Sequence, residues 1–159
     1  MRRSLTTAVA SAALLAGLGL TTTTASAAPA PAPAPAPKSV ALASDGWCDS
    51  WRKVIVSGSG HAVHQPFNRA SGSRDCTLAR GSNGSAVRIL QIALRDCNFA
   101  SGLDDDGDFG PRTEDALEYA QERRGTAVDG VYGKNTRKAL LWPVFYPNGG
   151  STGTCRPAN

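Results

Sequence analysis

The chain is short of the residues that most catalysis needs. Its 159 residues include only two His and one Met, and its aromatics are three Trp, three Tyr and four Phe. His61 and His64 lie outside any H-E-x-x-H frame and have no neighbouring acid, so a hydrolytic metal has no ligand set there. Their Ser/Gly-rich surroundings read as a surface loop. No serine nucleophile elbow, no Cys–His arrangement and no paired glycosidase carboxylates can be placed. No two cysteines have the short spacing of a zinc ribbon. The Asp104–Asp108 run fails as a calcium loop, because Gly102 and Thr113 would fall at its first and twelfth ligand positions. The expectation is therefore no catalytic residue, no metal and no cofactor. Charge of one sign is scarce as well. Lys and Arg number 17 against 13 Asp and Glu, a formal +4 that falls to +2 without the first 27 residues. A clustered basic face for nucleic acid is not there. Long apolar runs are confined to Ala8–Leu20, which is short for a membrane span.

What is present begins with an export signal. Arg2 and Arg3 precede the apolar run, and Ala25-Ser26-Ala27 forms a small-x-small cleavage site. Residues 1–27 are thus expected to be a signal peptide, with an exported product not held in the membrane after cleavage. Alternating Ala and Pro fill Ala28–Pro37, a composition that cannot build a core and favours extended polyproline II. Residues 28–39 are read as a linker. All four cysteines, Cys48, Cys76, Cys97 and Cys155, follow it, and an even count in an exported chain indicates disulfides. Of three connectivities, Cys48–Cys76 with Cys97–Cys155 is favoured: one bond clips an N-terminal extension (40–77) to the following region, the other ties a helix end to a C-terminal tail (143–159). Within the extension, Val54–Val56 and Ala62–His64 suggest a β-hairpin turning at Ser57–Gly60.

An internal repeat is the most informative feature. Asp106–Leu117 recurs 23 residues later as Asp129–Leu140, both reading D-G-x-aromatic-G-x-x-T-x-x-A-L. Asp-Gly marks a tight turn. The aromatic drops into the core, the second Gly sits at a helix N-cap, and Thr, Ala and Leu then share one helical face. The spacing predicts helices over Pro111–Arg124 and Lys134–Leu141. An earlier helix ending near Cys97 is capped by Ser85 and buries Val87, Leu90, Gln91 and Leu94. Gly125 stops the middle helix. Asn83-Gly84-Ser85, a glycosylation sequon by pattern, reads here as a capping turn.

With these motifs in view, Leu78–Trp142 resembles the peptidoglycan-binding domain found beside many bacterial cell-wall hydrolases. The opening Gly and V-x-x-L-Q-x-x-L helix are Gly84, Val87, Leu90, Gln91 and Leu94; Asp106–Ala116 and Asp129–Leu140 supply the two D-G elements. Ala120 stands where the family often has a bulky residue such as Phe. The resemblance implies a mainly α fold, a compact three-helix bundle with two turn-helix repeats over 78–142, plus the disulfide-pinned extension. It also implies non-catalytic attachment to peptidoglycan, by a monomer secreted or associated with the wall. The alternatives are a secreted interaction or inhibitor protein reusing the fold, or a small wall hydrolase, although residues 40–77 are few for a covered active site. Peptidoglycan presents sugar hydroxyls, peptide amides and carboxylates, which amide, guanidinium and phenol groups on a shallow groove would suit. Asn83, Arg88, Tyr132, Asn135 and Arg137, near the helix starts, are the expected ligand-binding rim. Phe109 is expected to lie deeper than Tyr132.

Overall fold

The computed structural model describes residues 46–157 other than Ser57 and Ser59. The expected signal peptide and linker lie outside these. In chain order the elements are β1 (Ser50–Ile55), β2 (Ala62–Phe67), α1 (Ser85–Cys97), α2 (Pro111–Arg124), α3 (Lys134–Ala139), β3 (Leu141–Phe145) and β4 (Ser151–Pro157). The four strands form one antiparallel sheet in the order β1-β2-β3-β4. This corrects the expectation of a mainly α three-helix bundle: the three helices are there, but a sheet of comparable size flanks them.

The missed strands have a physical explanation. Trp142 and Val144 of β3 face the core, while Pro143 between them is also buried, so polar and apolar positions do not alternate. A proline inside a strand argues against that strand unless one of its sides is unpaired. That condition holds, because β2 pairs with β3 only through Ala62↔Phe145 and Val63↔Val144. At Pro143 the strand has β4 alone as neighbour, and the missing N–H breaks no ladder on the β2 side. Strand β4 reads STGTCRP, polar and glycine-containing, with no apolar rhythm at all. The hairpin β1–β2, by contrast, forms where Val54–Val56 and Ala62–His64 suggested, and six register pairs extend it to Phe67.

The helices follow their residue patterns. On α1, Ala86, Val87, Leu90, Gln91, Ala93 and Leu94 are buried, and on α2 Thr113, Leu117, Ala120 and Gln121. Pro111 opens α2 and Gly125 closes it in the left-handed conformation. Gly84, not Ser85, is the N-cap of α1; its φ of 101° and the bond from its N–H to the carbonyl of Gly107 require glycine. Helix α3 is a single short piece, since Leu140 is already extended and leads into β3. The core is continuous from α1 through Phe109, Leu117, Tyr132 and Leu140 to Trp142, Val63 and Val144 of the sheet. Among the described residues no helix is long and apolar enough to cross a membrane.

Two disulfides fasten the layers. Cys48 is bonded to Cys76 and Cys97 to Cys155, and no cysteine is free. The first closes the hairpin onto the segment entering the helices. The second joins the C-terminal end of α1 to β4. Loops of 28 and 58 residues correspond to about 4 kcal/mol each in the chain-entropy model.

Candidate functional site

The repeat resolves into two copies of one hydrogen-bonded unit. The Gln91 amide donates to Asp106 Oδ1 (2.8 Å), the Asp108 carbonyl (3.0 Å) and Thr113 Oγ1 (3.1 Å), and its Oε1 accepts from Gly107 N–H (2.8 Å). Gln121 does the same with Asp129 (2.8 Å), Val131 (2.9 Å), Thr136 (3.1 Å) and Gly130 (3.0 Å). Each buried glutamine thus holds a D-G turn against the following helix. Asp106 is held below the usual carboxylate range by the Asp108 N–H and then by the Gln91 amide. Its acidity serves a turn, and among the described residues no group of three or more His, Cys, Asp or Glu could hold a metal ion.

The two turns open onto two different clefts. The first, about 450 Å³, is lined by Trp47, Cys48, Asp49, Arg80, Gly81, Ser82 and Asn83. Trp47 reaches it through a parallel bridge to Thr77, and Asn83 through an antiparallel bridge to Asp108. Arg80 is fixed by Glu114 of α2 through its Nε at 2.6 Å. The second cleft, about 260 Å³, includes Asp75, Thr77, Asp129, Lys134 and Asn135.

The five residues expected on one rim are therefore divided. Asn83 and Asn135 are exposed, one in each cleft. Arg88 is exposed on α1 and pairs with Asp105 at 3.5 Å. Arg137 is only 6% exposed; its guanidinium donates to Asp75 Oδ1 at 2.6 Å, and its carbonyl accepts from Trp142 Nε1 at 3.1 Å. Tyr132 lies wholly inside the core, as buried as Phe109, with its ring edge-on to Trp142 at 6.2 Å. This corrects both its placement on a rim and the expectation that Phe109 would lie deeper. Its hydroxyl has no hydrogen-bond partner, and burial pushes its pKa upward. The physical reason is position: an aromatic after D-G enters the core in both copies, whatever polar tip it carries.

Sequence reasoning missed Trp47 and Arg80. Trp47 stands among the residues read as an extension, and only the Cys48–Cys76 bond with the Trp47–Thr77 bridge brings it to the repeat. The available signal was its position one residue before a disulfide cysteine. His61 and His64 are also not in a bare loop. His64 belongs to β2, stacked on Phe145 at 4.5 Å and tilted against Trp51 at 4.4 Å; His61 lies edge-on to Tyr146 at 5.3 Å. Chemically the first cleft offers an indole, a guanidinium, a side-chain amide and a hydroxyl, groups that grip a polar sugar–peptide ligand.

Comparison with known proteins agrees with this chemistry. The chain is 35% identical over 106 residues to N-acetylmuramoyl-L-alanine amidase CwlM of Mycobacterium tuberculosis, a match covering 63% of this chain and 26% of that protein. It is 38% identical over 87 residues to the zinc D-Ala-D-Ala carboxypeptidase of Streptomyces albus G, covering 47% and 34% respectively. The chain thus spans about a quarter to a third of the length of these curated relatives. Among solved structures, the SleB N-terminal domain is 36% identical with a TM-score of 0.38, over 40% of this chain and 85% of that one. The model of the peptidoglycan binding domain family matches residues 83–140, which include α1, α2, α3 and both D-G turns. By that match the chain belongs to the peptidoglycan-binding domain family.

Proposed function

We propose that this is an exported, monomeric, non-catalytic protein that attaches to bacterial peptidoglycan through the cleft between Trp47 and Asn83. The observation that carries the reading is this cleft's position: it opens beside the first D-G turn of the family domain, with Trp47 half-exposed at one wall and Asn83 at the other. An indole covers the apolar face of a sugar while amide and guanidinium groups satisfy its peptide and carboxylate substituents. Export is supported by the Arg2–Ala27 pattern and by the two disulfides, which belong to an oxidising compartment. Absence of catalysis is supported by the composition of the clefts, where no nucleophile–base pair is assembled.

The test is co-sedimentation of the purified mature chain with insoluble peptidoglycan, alongside loss of wall turbidity. The expected result is sedimentation without clearing, weakened about tenfold in Trp47→Ala and Asn83→Ala, or ~1.4 kcal/mol each. Clearing of the wall, or failure to sediment, would overturn the proposal.

A further inference from the structure

The sheet that flanks the family domain has a face that packs on nothing in the described chain. Opposed residues of an antiparallel pair share a face. The register therefore sets Trp51, Lys53 and Ile55 of β1 on the same side as His64 of β2 (Lys53↔His64) and Phe145 of β3 (Ala62↔Phe145). Val54, Val63 and Val144 turn the other way, toward α1 and the core. On the outward side the rings are contiguous. Trp51 leans on His64, His64 stacks on Phe145 with an interplanar angle of 11°, and His61 adjoins Tyr146. Trp51 is 41% exposed, Tyr146 46% and Ile55 59%.

The charge on this sheet is of one sign. Arg52, Lys53 and Arg156 lie on the strands, and none of the four strands contains Asp or Glu. A row of flat aromatic faces beside cations, with no carboxylate, complements an anion that carries flat apolar surfaces of its own. A lipid headgroup is anionic but offers no such faces to stack. A chain of pyranose rings does: their axial C–H groups form apolar patches that lie on the electron-rich faces of aromatic rings, and carboxylates on their substituents would pair with Lys53. None of the four strands is within the family match, except that residues 83–140 end immediately before β3.

We infer that the outward face of the sheet, centred on Trp51, Lys53, His64 and Phe145, is a second binding surface, taking the acidic glycan strand of peptidoglycan. This rests on the function proposed above and adds a second contact on the same polymer. Two contacts on one polymer raise apparent affinity through effective concentration, without either being strong. The strands β1 and β2 then serve as part of the binding apparatus and not only as a clip.

The experiment uses the full mature chain and three probes: insoluble peptidoglycan, the same peptidoglycan with its carboxylates amidated, and phosphatidylglycerol vesicles. The variants are Trp51→Ala and Lys53→Glu; the second alters an exposed lysine, so it remains informative if the first does not fold. Lys53→Glu is expected to weaken sedimentation with native peptidoglycan about tenfold and to match wild type on the amidated material. Trp51→Ala is expected to weaken both. If wild type sediments and both variants sediment equally well, the sheet is not a binding surface while the function proposed above stands. If wild type does not sediment, both readings fall. Vesicle binding lost in the variants, with peptidoglycan binding unchanged, would overturn the glycan assignment in favour of an anionic lipid surface.

Discussion

Gln91 and Gln121 occupy equivalent places 30 residues apart and make the same four hydrogen bonds, each holding the D-G turn and threonine of its own half of the repeat. Leucine at Gln91 would fill the space but leave the Gly107 N–H and the polar groups of Asp106 and Thr113 without their buried partner. The expected loss is about 2–3 kcal/mol, measured by urea denaturation. Gln121→Leu should cost a similar amount. A Gln91→Leu protein as stable as wild type would show that the turn holds itself.

Tyr132 and Phe109 should separate by mutation, though both are fully buried. Tyr132→Phe removes a hydroxyl that has no partner, so the melting temperature should stay level or rise, and peptidoglycan sedimentation should not change. Phe109→Ala should cost about 3–5 kcal/mol by leaving a cavity. A marked loss of wall binding in Tyr132→Phe would restore that residue to the binding surface.

Asp75 should govern the acid limb of stability. Burial pushes its carboxyl up, but hydrogen bonds from Arg137 and Lys134, with their charges, outweigh that and hold it below its ordinary value of 3.8. A carboxyl lowered in the folded state contributes stability above its unfolded pKa and loses it as pH falls through the folded one. Melting temperature should therefore drop below about pH 4, and Asp75→Asn should flatten that drop. At neutral pH the same variant leaves Arg137 buried without its anion, an expected loss of about 2 kcal/mol, read by denaturation at pH 7. An unchanged acid limb in Asp75→Asn would assign it to other carboxylates.

Phe99 follows the C-cap Asn98 of α1 in the left-handed conformation, φ 73°, the one positive φ at a non-glycine among the described residues. Such a backbone costs a bulky residue about 1–2 kcal/mol. Its half-exposed ring adjoins Tyr119 and lies within reach of the Arg123 and Arg124 guanidiniums. Phe99→Ala keeps the strained backbone and loses the ring; Phe99→Gly loses the ring and the strain together. Phe99→Gly should thus be the more stable of the two by about 1 kcal/mol, as thermal melting would show. Equal stabilities would mean that the backbone bears no strain there.

How far the sequence could be read depended on whether the signal was local. The D-G-x-aromatic-G-x-x-T unit is local: turn, core aromatic and helix face lie within twelve residues, and α1 and α2 form where the pattern placed them. The strands β3 and β4 are not local. Pro143 contradicts a strand until the narrow β2–β3 seam explains it, and STGTCRP has no pattern to read. The binding surfaces were less legible still. Spacing brought Asn83 and Asn135 to helix starts, but could not show that these starts open onto separate clefts. Nor could it show that Arg137 turns inward to Asp75, 62 residues away in sequence. Trp47 and Arg80 meet only because a disulfide and a single bridge fold the extension back.

The two disulfides also decide where tension would run if the anchored protein were pulled by its ends. Force entering before Cys48 crosses the covalent bond to Cys76 and bypasses the whole β1–β2 hairpin. Force leaving through β4 crosses from Cys155 to Cys97 and bypasses α2, α3 and β3. Among the described residues, the load path between the bridges is the stretch from Cys76 to Cys97, and its one regular element is α1. Unwinding that helix lengthens each residue from about 1.5 Å to about 3.3 Å, so α1 is the extensible link in an otherwise inextensible tether.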